Sequence, residues 1–225
     1  MGTPLAVGIS DIATLPLRLG SAVRGRRVFH PVGVLAEGTL ERVAPLGEGL
    51  PLESGDVIGR VSKGVGLPGA VPDVAGVAWR MPQPSAPTPW DVLLASTVRG
   101  RLLLAPAASW SGTTFSSLMP LRYKDGVWWL QARLSTPIDS PGLALEAIRS
   151  RIASTGVDFD IEQAAGTGGF LPLARLTLHT LATNSGDISF DPTVHSHPDV
   201  ELMPGWLTGF RRAAYRRSRQ GRDAE

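Results

Sequence analysis

The sequence predicts a β-rich α+β domain, an antiparallel barrel with a few flanking helices. Three observations predict it. Short apolar or alternating runs recur from residue 27 to residue 180, as half-buried strands do. Glycine and proline, 26 and 19 of 225 residues, stop those runs before they reach helical length. Helical periodicity is confined to three segments, at residues 10–26, 141–154 and 204–219. Nine or so short strands with two or three helices fit a closed sheet, and a barrel of about eight strands can enclose a small ligand.

The elements follow in order. Ile12, Leu15, Leu19 and Val23 fall at helical spacing. Strands are expected at 27–35 with 39–43, then at 57–62, 76–81, 92–97, 101–104, 116–123, 127–134, 159–163 and 173–180. Asp125-Gly126 reads as a two-residue hairpin turn, because that dipeptide accepts positive φ. PGLALEAIRSRIAS, residues 141–154, places Leu145, Ile148 and Ile152 on one stripe of a helix. A last helix is expected over 204–219, with Leu207, Phe210 and Tyr215. The four prolines of MPQPSAPTP, residues 81–89, mark a loop or rigid connector. The organisation read from this is an N-terminal helical segment (1–26), a barrel (27–203) and a C-terminal helix with a basic tail (204–225), in one domain.

Composition removes several chemistries. There is no cysteine, hence no disulfide, cysteine-ligated metal or catalytic thiol. No run of 18 apolar residues occurs, so no membrane-spanning helix is expected. The first 20 residues have no basic residue before their apolar stretch, and Asp11 interrupts it, unlike a secretory signal. A cytoplasmic protein is expected. Six arginines fall between Arg211 and Arg222. With only Tyr215 interleaved, they read as a solvated basic tail, and no nucleic acid is expected.

Chemistry is most concentrated at the histidines and the last helix. His30 shares a strand face with Val28, Val32 and Val34, with Arg27 close by and Arg60 and Ser62 on one face of a second run. An imidazole in an apolar cavity rimmed by arginines suits a ligand apolar at one end and anionic at the other. His179 lies in a strand-like run and reads as structural. His195 and His197 flank Ser196 near Asp199, a pattern that can hold zinc but lacks a further ligand at the usual spacing. Arg211 and Tyr215 are four apart, hence neighbours on a helix. The guanidinium favours the phenolate, and a phenolate is a known axial ligand of haem iron.

Taken in sequence order, these pieces resemble the haem-binding core of the catalase family. Arg27-Val28-Phe29-His30-Pro-Val-Gly resembles its strand bearing the distal histidine. Gly59-Arg60-Val61-Ser62-Lys63 resembles its Arg-Phe-Ser-Thr strand. Pro72-Asp73-Val74-Ala75-Gly76-Val77-Ala78 resembles its Asp-x-x-Gly-Phe-Ala segment. Trp90-Asp91-Val92-Leu93 resembles Asn-Trp-Asp-Leu-Val, and Ile188-Ser189-Phe190-Asp191-Pro192-Thr193 resembles Ala-Phe-Ser/Asp-Pro. Arg211 and Tyr215 match the proximal R-x-x-x-Y pair. The resemblance covers about residues 26 to 219. It implies an antiparallel eight-stranded barrel of catalase-like type and a haem b site. His30 and Ser62 would be catalytic, Arg27, Arg60, Arg211 and Tyr215 would bind the cofactor, and Tyr215 would be the axial ligand of the iron.

Two departures refine the expectation. The family carries an asparagine pair after its Trp-Asp-Leu-Val, one of which helps bind peroxide; here the stretch is Leu94-Ala95-Ser96-Thr97. Its proximal tyrosine is followed by proline; here Arg216 follows. Loss of the amide disfavours hydrogen peroxide, so organic or fatty-acid hydroperoxides are the expected substrates of a haem-dependent oxidoreductase, with a homo-oligomer also open. Two other readings stay open at this point: a barrel that kept the fold without haem and serves as a ligand-binding or scaffold protein, and a metal-dependent hydrolase using His195 and His197.

Overall fold

The computed structural model describes residues 32–64, 66–67, 71–83, 86–98, 101, 103–182 and 188–203 of the 225-residue chain. Alternation of small, β-branched and aromatic residues makes most of it sheet. The strands are β1 (Val32–Arg42), β2 (Gly55–Lys63), β3 (Ala75–Met81), β4 (Trp90–Thr97), β5 (Thr114–Ser116), β6 (Leu121–Tyr123), β7 (Gly126–Leu134), β8 (Val157–Ala165), β9 (Leu171–Leu181) and β10 (Val200–Leu202). Among the described residues one helix, α1 (Leu145–Ser154), joins β7 to β8.

Eight strands close a ring in the order β7-β5-β4-β3-β2-β1-β9-β8, with β8 returning to β7 and every pairing antiparallel. The expected catalase-like eight-stranded barrel is therefore present. β6 pairs with the first residues of β7, and β10 pairs with β6, outside the ring. Closure removes the exposed edges that an open sheet would leave.

The inward face carries the core. Val34, Val61, Val77 and Leu94 follow one another across four strands, each at most 2% exposed. Phe115 and Phe159 meet edge-on at 6.1 Å. Burying side chains of this kind contributes about 1.5–3 kcal/mol each. Leu178 of β9 packs where a Cβ on Gly59 would overlap its Cδ2, and a Cβ on Gly38 would overlap the Thr177 carbonyl. The glycines are therefore required by close approach. Gly38 also sits at the irregularity between β1 and β9. Ile148 and Ile152 of α1 are buried, as their stripe predicts.

Several expectations shift. The runs at 32–35 and 39–42 are one strand, because Gly38 lets β1 continue through the irregularity. The hairpin turns on Lys124-Asp125, one residue earlier than expected: Lys124 takes φ 51°, and Gly126 already pairs with Tyr123. The 116–123 run splits into β5 and β6, with Leu118 at φ 57° between them. Of the expected 101–104 strand, Leu104 makes a single antiparallel bridge to Thr97 at the end of β4. Arg101 is held by its side chain, which bonds the carbonyls of Gly166 and Gly168 and stacks on Phe170 and Trp129. α1 starts at Leu145, four residues late, after a turn with Gly142 at φ 66°. β10 was not expected. The segments 1–26 and 204–225, with both their expected helices, lie outside the described residues. Among the described residues, no helix is long and apolar enough to cross a membrane.

Candidate functional site

The outward face of β1–β5 carries a row of small residues. Gly33 pairs with Ser62, Ser62 with Gly76, Gly76 with Ala95, and Ala95 with Ser116. Four inter-strand steps of about 4.8 Å make the row roughly 19 Å wide. No side chain on it is longer than a hydroxymethyl group. Ser62 and Ser116 are buried at 4% and 1% exposure, whereas Ala95 and the neighbouring Ala78 remain half-buried.

Arg60 stands at the β1 edge of the row. It pairs with Leu35 and Ala78 on the same face. A Cβ added at Gly33 would lie 2.6 Å from Arg60 Nε and 3.0 Å from Ser62 Cβ. The side chain of Arg60 thus runs across Gly33, and the absent Cβ is what admits it. The cation at this edge favours carboxylates. Asp73 fixes the approach to the row from the β2–β3 connection. Its Oδ2 accepts the backbone N–H groups of Gly66 and Leu67 at 2.8 and 3.0 Å, and its Oδ1 accepts that of Val74 at 2.7 Å.

A second cluster ties β3 and β4 to the segment 188–203. Asp91 is fully buried on β4, and a buried carboxylate demands partners. Arg80 Nε and Nη2 bond its two oxygens at 2.6 and 2.7 Å. The same Nη2 donates to the Ser189 carbonyl at 2.9 Å, and the guanidinium lies 5.6 Å from the Phe190 ring centre. The Asp191 N–H donates to Asp91 Oδ2 at 2.7 Å, and the Asp91 N–H to the His195 carbonyl at 2.9 Å. Hydrogen bonding to Asp91 raises the pKa of Arg80, against the effect of burial.

His195 completes the cluster. Its Nδ1 lies 2.8 Å from Arg80 Nη2 and 2.9 Å from Asp91 Oδ2. Nη2 has two hydrogens, and Asp91 and Ser189 take both. Nδ1 sits between the guanidinium and the carboxylate, within hydrogen-bond distance of both. His197 tilts against Trp90 at 5.3 Å, and its Nδ1 accepts the Asp199 N–H. Burial lowers its pKa, outweighing Asp199 and Glu53. The H-x-H pair is thus spent on a carboxylate and on the backbone. Among the described residues, no three histidine, aspartate or glutamate side chains come close enough to hold a metal ion, and the hydrolase reading has no site there.

Among solved structures, a fungal catalase superposes with a TM-score of 0.64 at 11% identity, covering 94% of this chain and 62% of its own. Catalase A from Saccharomyces cerevisiae gives 0.63 at 10% identity, covering 94% and 64%, and a bacterial catalase 0.60 at 12%, covering 92% and 59%. The fold is that of the catalase-like barrel. The chain spans less than two thirds of the length of each of these catalases. No protein-family model matches the chain, and no curated protein does.

Of the expected site residues, the structure brings Arg60 and Ser62 onto one face of β2, as their spacing predicts. His30, Arg27, Arg211 and Tyr215 lie outside the described residues. His179 is exposed on β9, its Nδ1 2.9 Å from Thr180 Oγ1. Sequence reasoning missed the Arg80–Asp91–His195 cluster. An aspartate inside the otherwise apolar run WDVLLA is the signal that finds it, because a buried carboxylate implies a cation nearby.

Proposed function

We propose that the protein is a haem-binding, catalase-like oxidoreductase that reacts with organic hydroperoxides in preference to hydrogen peroxide. The observation that supports the reading most is the in-register row Gly33–Ser62–Gly76–Ala95–Ser116, with Arg60 across its β1 edge. In this reading a macrocycle would lie along the row, with Arg60 as a cation for its carboxylates. The solved catalases share the barrel, and the ordered motifs of the sequence point to the same group.

In this reading Tyr215 would hold the haem iron through its phenolate, which Arg211, four residues earlier in the sequence, would favour. Arg27 and Arg60 would hold the haem carboxylates. Bound haem supplies the two-electron redox chemistry at iron that peroxide cleavage requires. His30 moves a proton between the two peroxide oxygens as general acid and base, worth about 10²–10⁴-fold. Ser62 would supply a hydroxyl to the same site. Ala95 stands where catalases carry an amide, so hydrogen peroxide loses a positioned hydrogen bond while a bulkier hydroperoxide gains room.

The test is reconstitution with hemin followed by spectroscopy of two variants. Tyr215→Phe is expected to lose the ferric tyrosinate spectrum and weaken haem retention. His30→Ala is expected to keep haem and lose peroxide reactivity. Equal loss of haem from both variants would overturn these roles. A wild-type protein that takes up no hemin would overturn the function.

A further inference from the structure

Side-chain nucleophiles are scarce in this chain. It has no cysteine, and among its 22 lysines and arginines only Lys63 and Lys124 are amines. A guanidinium keeps its protons at any ordinary pH and does not attack an electrophile. Serine and threonine hydroxyls attack weakly unless a neighbouring base activates them. A stable amide with an acyl group therefore forms at a side-chain amine, and the sequence offers two.

The fold separates these two. Lys63 is the last residue of β2, next to Ser62 of the row, and is 3% exposed. Its ammonium donates to the Leu67 carbonyl. Buried and engaged in this way, it meets a reagent in solution only when the fold opens. Lys124 is the opposite case. Tyr123 and Gly126 pair with each other, so Lys124 and Asp125 form the tip of the β6–β7 hairpin, and both are exposed. Lys124 takes φ 51°, in the left-handed region. Among the described residues no carboxylate holds its ammonium, which lies 5.1 Å from the Tyr123 ring centre. Such a contact is weak at an exposed site, so the amine can leave the ring.

We propose that Lys124 is the single side-chain acylation site of the folded protein, taking its acyl group from an activated donor such as an acyl phosphate. The ammonium first loses a proton to water. The neutral nitrogen then forms a bond to the acyl carbon, and the bond from that carbon to the phosphate oxygen breaks. Phosphate leaves with the electron pair and takes up the second proton of the nitrogen. The product is a neutral amide, so the formal net charge of +2 falls by one and the Tyr123 ring loses its cation. The hairpin carries none of the residues of the small-residue row, and the inference stands apart from the haem reading.

The experiment is incubation of the full-length protein with acetyl phosphate, in buffer and in urea, followed over time by peptide mass mapping. The terminal α-amino group is read from its own peptide. In the native protein Lys124 is expected to gain an acetyl group at least about tenfold faster than Lys63, which reacts only through opening of the fold. In urea the two rates are expected to converge. Lys124→Arg keeps the charge, and once its fold is checked by circular dichroism it is expected to show no side-chain acetylation over the time that modifies the wild type. Comparable native rates at the two lysines, protection of Lys124 in the native protein but not in urea, or a stable acetyl group on any other side chain of the native protein would overturn the proposal.

Discussion

The backbone N–H of Asp191 donates to Oδ2 of Asp91 at 2.7 Å, across 100 residues of chain. This bond joins two short motifs, WDV and FDP, that sequence alone leaves unconnected. Asp91 also holds Arg80 and His195, so one buried carboxylate latches segment 188–195 onto the β3–β4 hairpin. Four residues along β4 from this latch lies Ala95, the fourth of the five residues of the small-residue row.

Asp91→Ala leaves Arg80, His195 and the Asp191 N–H without their acceptor. The expected loss is about 3–5 kcal/mol, as for breaking a buried ion pair. Urea unfolding measures it, and amide exchange at Asp191 is expected to accelerate at least tenfold. A variant within 1 kcal/mol of the wild type would contradict the latch.

The close approach of β9 to β2 gives a second prediction. Gly59→Ala forces a methyl group against Leu178 and is expected to cost about 1–3 kcal/mol. Shortening the neighbour relieves the overlap. In the background of Leu178→Ala, the same substitution at Gly59 is expected to cost less than half as much. Equal costs in the two backgrounds would show that the overlap with Leu178 is not the cause.

His197 makes stability depend on pH in a defined direction. Burial against Trp90 holds its pKa below the ordinary 6.5. The folded state therefore takes up a proton less readily than the unfolded chain. The contribution is complete above pH 6.5 and declines as pH falls from there toward the lower folded value. Unfolding free energies between pH 5 and 8 are expected to fall more steeply toward acid in the wild type than in His197→Phe, which keeps a ring against Trp90. Parallel curves would remove His197 as the source.

Ala95 sets the predicted substrate preference. On the haem-loaded protein, kcat/KM for cumene hydroperoxide is expected to exceed that for hydrogen peroxide. Ala95→Asn restores an amide and is expected to raise the hydrogen peroxide value by up to about 10²–10³, the usual weight of one positioned hydrogen bond. An unchanged ratio would separate this position from peroxide selection.

The barrel was legible because its strands alternate cleanly. Val34, Val61, Val77 and Leu94 mark one inward line, and Ile148 and Ile152 mark the helix that packs beside it. Boundaries were less legible where side chains outweigh propensity. Arg101 binds two carbonyls on the opposite loop, and the pairing with β4 that follows it shrinks to the single bridge Thr97–Leu104. The small-residue row was only half visible, because the sequence motifs name Ser62, Gly76 and Ala95 but their alignment depends on the register of five strands. The His195–Asp91 link was invisible from residue types, since it depends on a fold that brings residues 91 and 195 together.

The central claim is that the row of small residues is the floor of a haem site. The most direct measurement is a hemin titration of the purified protein and of Ala95→Phe, followed at the Soret band, with folding checked by circular dichroism. Ala95 is half-buried on the outer face, so a ring there fills the floor and leaves the barrel core untouched. The account predicts a saturable Soret change in the wild type that is lost in a folded Ala95→Phe. No saturable change in the wild type, or equal hemin binding by the two proteins, would contradict it.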